Sequence, residues 1–232
     1  MGRLAGKWCL VTGSSRGIGR QIAMGLAGEG ANVIVHGRVK EHAARTLADL
    51  RRFGVETDCV AGELSDLDQA EWLVRKVLDA HGGVDILYNN AAIQGDWKEI
   101  WDTTIDDWKA VIEVNLLAMV FLSTAFGRGM KARGYGRIIN LTSGIRDKPQ
   151  LSPYSVSKAA VNKFTQDLAF ELRGSGVLVN TLDPGWLKTD MAGPEAELEV
   201  ETVLPGALAP ALLDADGPTG TEFRAQEYRQ RS

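Results

Sequence analysis

Residues 7–19 read K-W-C-L-V-T-G-S-S-R-G-I-G, a short apolar run that breaks into glycines and then continues as a helix-forming pattern. The first half is the length of one buried strand. Gly13, Gly17 and Gly19 then stand at a strand-to-helix turn. Glycines there permit a tight bend and let backbone approach a ligand closely. The following helix N-terminus offers unpaired N–H donors and positive dipole, which suit phosphate. The spacing is G-x-x-x-G-x-G rather than G-x-G-x-x-G. Alone, the stretch also reads as a plain tight turn. Its place in the first strand–helix–strand unit favours a nucleotide site at Gly13, Gly17 and Gly19.

Outward from that turn the chain keeps one beat. Strands are expected at 8–12, 32–36, 56–61, 84–89, 136–142 and 177–182, and helices at 17–29, 40–53, 66–81, 106–132 and 153–173. Alternation of this kind predicts an α/β fold: a Rossmann-like, doubly wound, mainly parallel sheet with helices on both faces. Gly30 and Gly54 stand where helix ends are expected. After Met191 the pattern degrades, and residues 192–215 read as a mobile segment with short helices. A last strand is expected at G-T-E-F, residues 220–223. No interdomain linker appears before residue 190, so residues 1–232 are expected to form one domain.

Composition narrows the function classes. The 232 residues are 44% hydrophobic and 24% charged, with net charge −4. That suits a globular chain and argues against nucleic acid or anionic membrane as the main partner. Three His and two Cys do not cluster, so no metal site is expected. Cys9 and Cys59 read as small core residues, which suits a reducing compartment. The N-terminal apolar run is too short for a signal peptide, and no apolar stretch is expected to span a membrane. Together these make a cytoplasmic protein the expectation.

Candidate chemistry sits in S-G-I-R-D-K-P-Q-L-S-P-Y-S-V-S-K, residues 143–158. Tyr154 and Lys158 are four apart, so on a helix they share one face, about 5–6 Å apart at Cβ. Ser152 can cap that helix, and Pro153 suits its first turn. Ser143 ends the preceding strand and can face both. A phenol titrates near pH 10, and a neighbouring ammonium favours its ionised form. A bound oxidised nicotinamide would push the same way. The phenol could then exchange a proton with an alcohol. An isolated Y-x-x-x-K is equally a solvated helix face.

The second strand, N-V-I-V-H, ends at Gly37-Arg38 with no acidic residue to hold a ribose 2′-hydroxyl. Arg38 and Arg16 instead suit a 2′-phosphate, because guanidinium binds phosphate bidentately. NADP(H) is therefore favoured over NAD(H). Both arginines are also ordinary surface charges in a plainer reading.

With these residues in order, the chain resembles the single-domain branch of the short-chain dehydrogenase/reductase family over residues 5–191. T-G-S-S-R-G-I-G (12–19) resembles its cofactor loop, and N-N-A-A (89–92) its N-N-A-G motif. Asn115 falls where the family keeps a helix asparagine. Ser143, Tyr154 and Lys158 match its active-site trio. D-P-G-W-L-K-T-D-M (183–191) matches the segment leading to a cofactor-binding threonine. The resemblance implies a sheet of order 3-2-1-4-5-6-7 and hydride transfer between nicotinamide and a carbonyl or secondary alcohol. It makes Tyr154 the acid/base and Ser143 a hydrogen-bond donor to the substrate oxygen. Lys158 holds the ribose and lowers the tyrosine pKa, and Asn115 fixes a water beside Lys158. Asn90 and Ala91 line the adenosine and ribose, and Gly13, Ser15, Arg16 and Ile18 line the phosphates. Glu63 and Leu64 lie by the adenine, and Pro184, Gly185, Leu187 and Thr189 by the carboxamide. Taken singly, Asn115 could bond backbone, Thr189 could cap a turn, and Asn89 and Asn90 could close one.

The chain departs from the family at Ala92, which replaces a glycine, and at Glu63, which stands where an aspartate is common. Ser143 and Tyr154 are closer in sequence than usual, and the tail differs. Substrate is expected among Gln94, Trp97, Gly144, Ile145, Leu151, Trp186 and the 192–213 segment, with Arg146 and Lys148 as solvated cations near it. Apolar residues of the 153–173 helix (Val161, Phe164, Leu168, Phe170, Leu172) suggest a homodimer or homotetramer. The alternative function is an NADP-binding regulatory or scaffold protein without turnover. A nucleotide-sugar epimerase or dehydratase would want a longer C-terminal domain.

Overall fold

A computed structural model describes residues 2–145 and 147–228. Arg146 and the last four residues of the tail lie outside the described residues. Seven parallel strands form one sheet in the order β3-β2-β1-β4-β5-β6-β7. They are β1 Trp8–Val11, β2 Asn32–Gly37, β3 Thr57–Ala61, β4 Ile86–Asn89, β5 Gly136–Leu141, β6 Val177–Asp183 and β7 Glu222–Arg224. The helices are α1 Gly17–Gly28, α2 Lys40–Leu50, α3 Leu67–His81, α4 Ile105–Ile112, α5 Ala118–Arg133 and α6 Ser152–Glu171.

Strand side chains alternate between two cores, as the period of two requires. On one face Cys9, Val11, Val33, Val35, Ile86 and Tyr88 pack with Ile22 and Leu26 of α1. On the other, Leu10, Ile34, Leu87, Ile138 and Val179 pack with Leu73 and Val77 of α3 and with Leu122 and Phe126 of α5. Both faces are covered, which explains why the strands read as unbroken apolar runs. Both cysteines are free thiols.

Helix starts follow local chemistry. Asp66 caps α3 by accepting from the Asp68 and Gln69 amides. Thr104 and Asp107 form a reciprocal capping box on α4. Ser152 does not cap α6 as expected. It is already helical, and its hydroxyl donates to the Pro149 carbonyl at 2.9 Å. The 3₁₀ turn Pro149–Leu151 supplies the approach instead.

The long helix expected over 106–132 is present as Ile105–Arg133, with a π turn, Glu113–Leu117, joining α4 to α5 inside it. One expectation is corrected: among the described residues, Ile105–Arg133 is a helix apolar enough and long enough to cross a membrane by length and composition, against the expectation of none. Half of its most apolar window is buried, and its apolar side packs on the sheet and α3. A core helix covered on one side passes the same compositional test.

The 192–215 segment, expected to be mobile, is anchored through its second half. Val203, Ala207, Leu208 and Ala211 are buried in the α1-side core. The Tyr88 hydroxyl donates to the Ala207 carbonyl at 2.7 Å, and buried Arg137 donates to the Leu213 carbonyl at 2.8 Å. These short 3₁₀ turns carry no apolar period, so the sequence pattern conceals them.

Candidate active site

The glycine turn is held from beneath. The Ser14 hydroxyl donates to the Val11 carbonyl and accepts from the His36 amide. The Gly13 amide donates to His36 Nδ1 at 2.9 Å, which leaves Nε2–H to donate to the Gly62 carbonyl at 3.1 Å. Burial lowers the His36 pKa to about 4, so this histidine is a neutral spacer between the glycine turn and β3. Nothing in the sequence pattern marked it.

Asn90 closes the turn from the side. Its Nδ2 donates to the Thr12 and Gly13 carbonyls, and the Asn90 and Ala91 amides donate to the Thr12 hydroxyl. A Cβ on Gly13 would lie 3.0 Å from Ala91 Cα, and one on Gly19 would lie 2.5 Å from the Gly13 carbonyl oxygen. Arg16 precedes α1 without a side-chain cap, so the first amides of the helix lack one. Glycine-lined backbone facing an uncapped N-terminus fits a pyrophosphate. Ser15 and Ile18 lie in this turn, and a Cβ on Gly17 would lie 3.5 Å from Thr189. The structure thus brings the glycine turn, Asn90, Ala91 and Thr189 to one crevice at the carboxyl ends of β1 and β4.

Other expected cofactor residues differ in placement. Arg16 pairs with Asp190 at 2.8 Å, while Arg38 is exposed and makes no ion pair among the described residues. Gly37, just before Arg38, does lie against Ser15. The Glu63 carboxylate accepts from the Ser65 amide, and Leu64 is buried. Leu187 is a core residue whose backbone bridges to Leu198. The Pro184 carbonyl accepts from Gln226 at 2.7 Å, and Gly185 has φ +85°. The Thr189 hydroxyl accepts from the Ala192 amide, the turn-capping role weighed above.

Ser143, Tyr154 and Lys158 meet at the end of β5. The 3₁₀ turn before α6 takes up the short Ser143–Tyr154 separation. The Lys158 ammonium lies 5.7 Å from the Tyr154 ring centre and donates to the Leu141 carbonyl at 2.8 Å. Burial lowers the Lys158 pKa to about 8. Burial raises the Tyr154 pKa, the Ser143 hydroxyl pulls it back as a hydrogen-bond partner, and the Asp183 carboxylate raises it further. The Lys158 ammonium donates to the Leu141 carbonyl and is not among the causes of this shift, in which desolvation of the phenolate comes first.

Asn115 sits in the π turn and is buried. Its side chain accepts from the Ile93 amide at 2.8 Å and donates to the Ile93 carbonyl at 2.8 Å and to Ser157 at 3.1 Å. It therefore fastens the loop after N-N-A-A to α6.

Two cavities are lined by residues adjacent in sequence to the trio, though by none of the three themselves. One of about 360 Å³ is lined by Ile145, Asp147, Lys148, Pro149 and Ser155. The other, about 200 Å³, includes Gln94, Gly95, Val111 and Pro153. Of the residues expected near substrate, Ile145 lines the first and Gln94 the second. Trp97, Leu151 and Trp186 line neither cavity: Leu151 is buried in the turn before α6, and both tryptophans are more than half exposed. Among the described residues no group of His, Cys, Asp and Glu is placed to hold a metal.

Sheet order and crevice define a doubly wound, Rossmann-like class. Within that class the chain belongs to the short-chain dehydrogenase/reductase family: a family model described as short chain dehydrogenase matches residues 7–199. Dehydrogenase/reductase SDR family member 4 from Sus scrofa is 37% identical over 191 residues, 82% of this chain and 68% of that protein. A 3-oxoacyl-[acyl-carrier-protein] reductase from Synechocystis is 37% identical over 194 residues, 82% of this chain and 78% of the relative. A solved 3-oxoacyl (acyl-carrier-protein) reductase from Agrobacterium tumefaciens with NADP bound superposes with TM-score 0.86 at 31% identity, covering 95% and 93% of the two chains. An NAD⁺-bound xylitol dehydrogenase superposes with TM-score 0.85 at 25% identity, covering 95% and 98%. The protein is accordingly an oxidoreductase of the dehydrogenase/reductase type.

Proposed function

We propose that the protein is an NADP(H)-dependent carbonyl reductase, or secondary alcohol dehydrogenase in reverse, with Tyr154 as the acid/base. The convergence of Ser143, Tyr154 and Lys158 at the end of β5 carries this reading. When bound, the nicotinamide supplies the hydride. The raised phenol pKa keeps Tyr154 protonated at neutral pH, which suits donation to a carbonyl oxygen. Ser143 offers a second donor to the same oxygen. Lys158 holds its proton where a ribose hydroxyl would reach it, and Asn115 keeps the neighbouring loop in place. Ile145, Gln94 and the surrounding cavities take a small carbonyl or alcohol substrate.

The NADP preference rests on Arg38 beside the glycine turn, on Arg16, and on the lack of an acidic residue after β2. The relatives are consistent with a nicotinamide cofactor of either kind. In this reading residues 1–232 act as one catalytic domain in the cytoplasm, and exposed Phe170 and Leu117 form part of a homo-oligomer contact. Tyr154→Phe tests the core of it. Turnover of an accepted ketone falls at least about 100-fold while NADPH affinity, measured by fluorescence titration beside NADH, holds. Turnover near the wild-type rate refutes the assignment.

A further inference from the structure

Asp183 ends β6 on the strand beside Ser143. A Cβ on Gly144 would lie 2.9 Å from Asp183 Oδ2, so this carboxylate reaches the loop that carries the serine. Its Oδ1 accepts from the Gly185 amide at 2.9 Å. Its Oδ2 accepts no hydrogen bond from the protein and pairs with no cation among the described residues. The residue is half-buried, and that oxygen is not sealed from solvent. Lys158, the buried cation of the site, is spent on the Leu141 carbonyl. One oxygen thus holds the Pro184-Gly185 turn while the other lies unpaired beside the Ser143-Gly144 loop. Its charge also acts on the Tyr154 phenol.

We propose that Asp183 determines substrate specificity by receiving, on Oδ2, a hydroxyl or ammonium donor carried next to the reacting carbonyl carbon. This rests on the reductase reading above. A carboxylate in a half-buried pocket makes charge-assisted bonds to such donors and repels a substrate carboxylate at the same place. The substrate class is then an α-hydroxy or α-amino ketone, and an α-keto acid is excluded. A group serving only the Pro184-Gly185 turn would leave this preference untouched.

The test compares Asp183→Asn with wild type on four ketones of one carbon skeleton: unsubstituted, α-hydroxy, α-amino and α-carboxy. Asn keeps an oxygen for the Gly185 amide and removes the charge. Wild type is expected to favour the hydroxy and amino ketones over the unsubstituted one by about tenfold or more in kcat/KM. The variant loses most of the amino preference, chiefly in KM, and gains on the carboxy ketone. The hydroxy and amino arms say which donor the site takes. Equal wild-type use of all four ketones, or a variant that changes all four alike, overturns the proposal while leaving the reductase reading intact. No turnover by wild type on any of the four overturns both. Should Asp183→Asn fold poorly, Asp183→Ser and the wild-type pattern alone still decide.

Discussion

Lys158 shows how a single residue carries both function and cost. The residue is 5% exposed, and its ammonium has one protein acceptor, the Leu141 carbonyl. Its pKa of about 8 lies below the ordinary 10.5. The unfolded chain therefore holds this proton more tightly between those values. The penalty is fully present below pH 8 and is relieved as pH rises from 8 towards 10.5, amounting to about 3 kcal/mol at most. Lys158→Met, similar in volume, is expected to abolish turnover yet raise the melting temperature at pH 7, by about 6–12 °C at most. Melts at pH 7 and pH 10 check this, because the gap between variant and wild type shrinks at the higher pH. A variant less stable at pH 7 would mean that the bond to Leu141 outweighs desolvation. The spacing of Tyr154 and Lys158 was legible in the sequence, but the direction in which the ammonium turns was not. The surroundings of Asp183 and His36 were not legible either, because they include residues distant in sequence, Gly144 for one and Gly13 and Gly62 for the other.

Elements were more legible than side-chain orientation, since apolar periodicity is a local property. Strand and helix positions agree with expectation to within a residue or two over most of the chain. The π turn between α4 and α5 escaped, because one added residue in a turn barely disturbs the apolar stripe. That turn matters to the site: it carries Asn115, whose amide grips both backbone groups of Ile93. Without that grip the 93–104 loop, which includes exposed Trp97 and Trp101, loses its tie to α6 through Ser157. Asn115→Ala is expected to lower kcat about tenfold and to leave cofactor affinity near wild type. Amide exchange across 93–104 accelerates. If exchange there is unchanged while kcat falls, Asn115 acts on the proton path beside Lys158 rather than through the loop.

At the scale of the whole molecule, the crevice is built from both ends of the chain. The resemblance implied the sheet order, and the sequence placed a last strand at G-T-E-F; what that strand does for the site was not legible. β7 covers the β6 edge over Thr181–Asp183, the stretch that leads directly to Asp183 and the Pro184-Gly185 turn. Phe223 is buried in the α1-side core, and Gln226 donates to the Pro184 carbonyl. A Cβ on Gly206 would overlap the Ala225 carbonyl, so the 200–213 segment and the C-terminal turn are packed backbone to backbone. Removing residues 217–232 therefore uncovers a strand edge and frees the Pro184 carbonyl together. The expected result is a chain that aggregates or melts well below wild type, since loss of buried Phe223 alone costs about 3–5 kcal/mol. Gln226→Ala separates the two effects. It leaves β7 and Phe223 in place, so the melting temperature stays within a few degrees of wild type. Cofactor affinity, read by titration, falls severalfold because the turn before Leu187 and Thr189 loses its outer support. Unchanged affinity in Gln226→Ala would confine the C-terminal segment to stabilising the sheet edge, with no hold on the crevice.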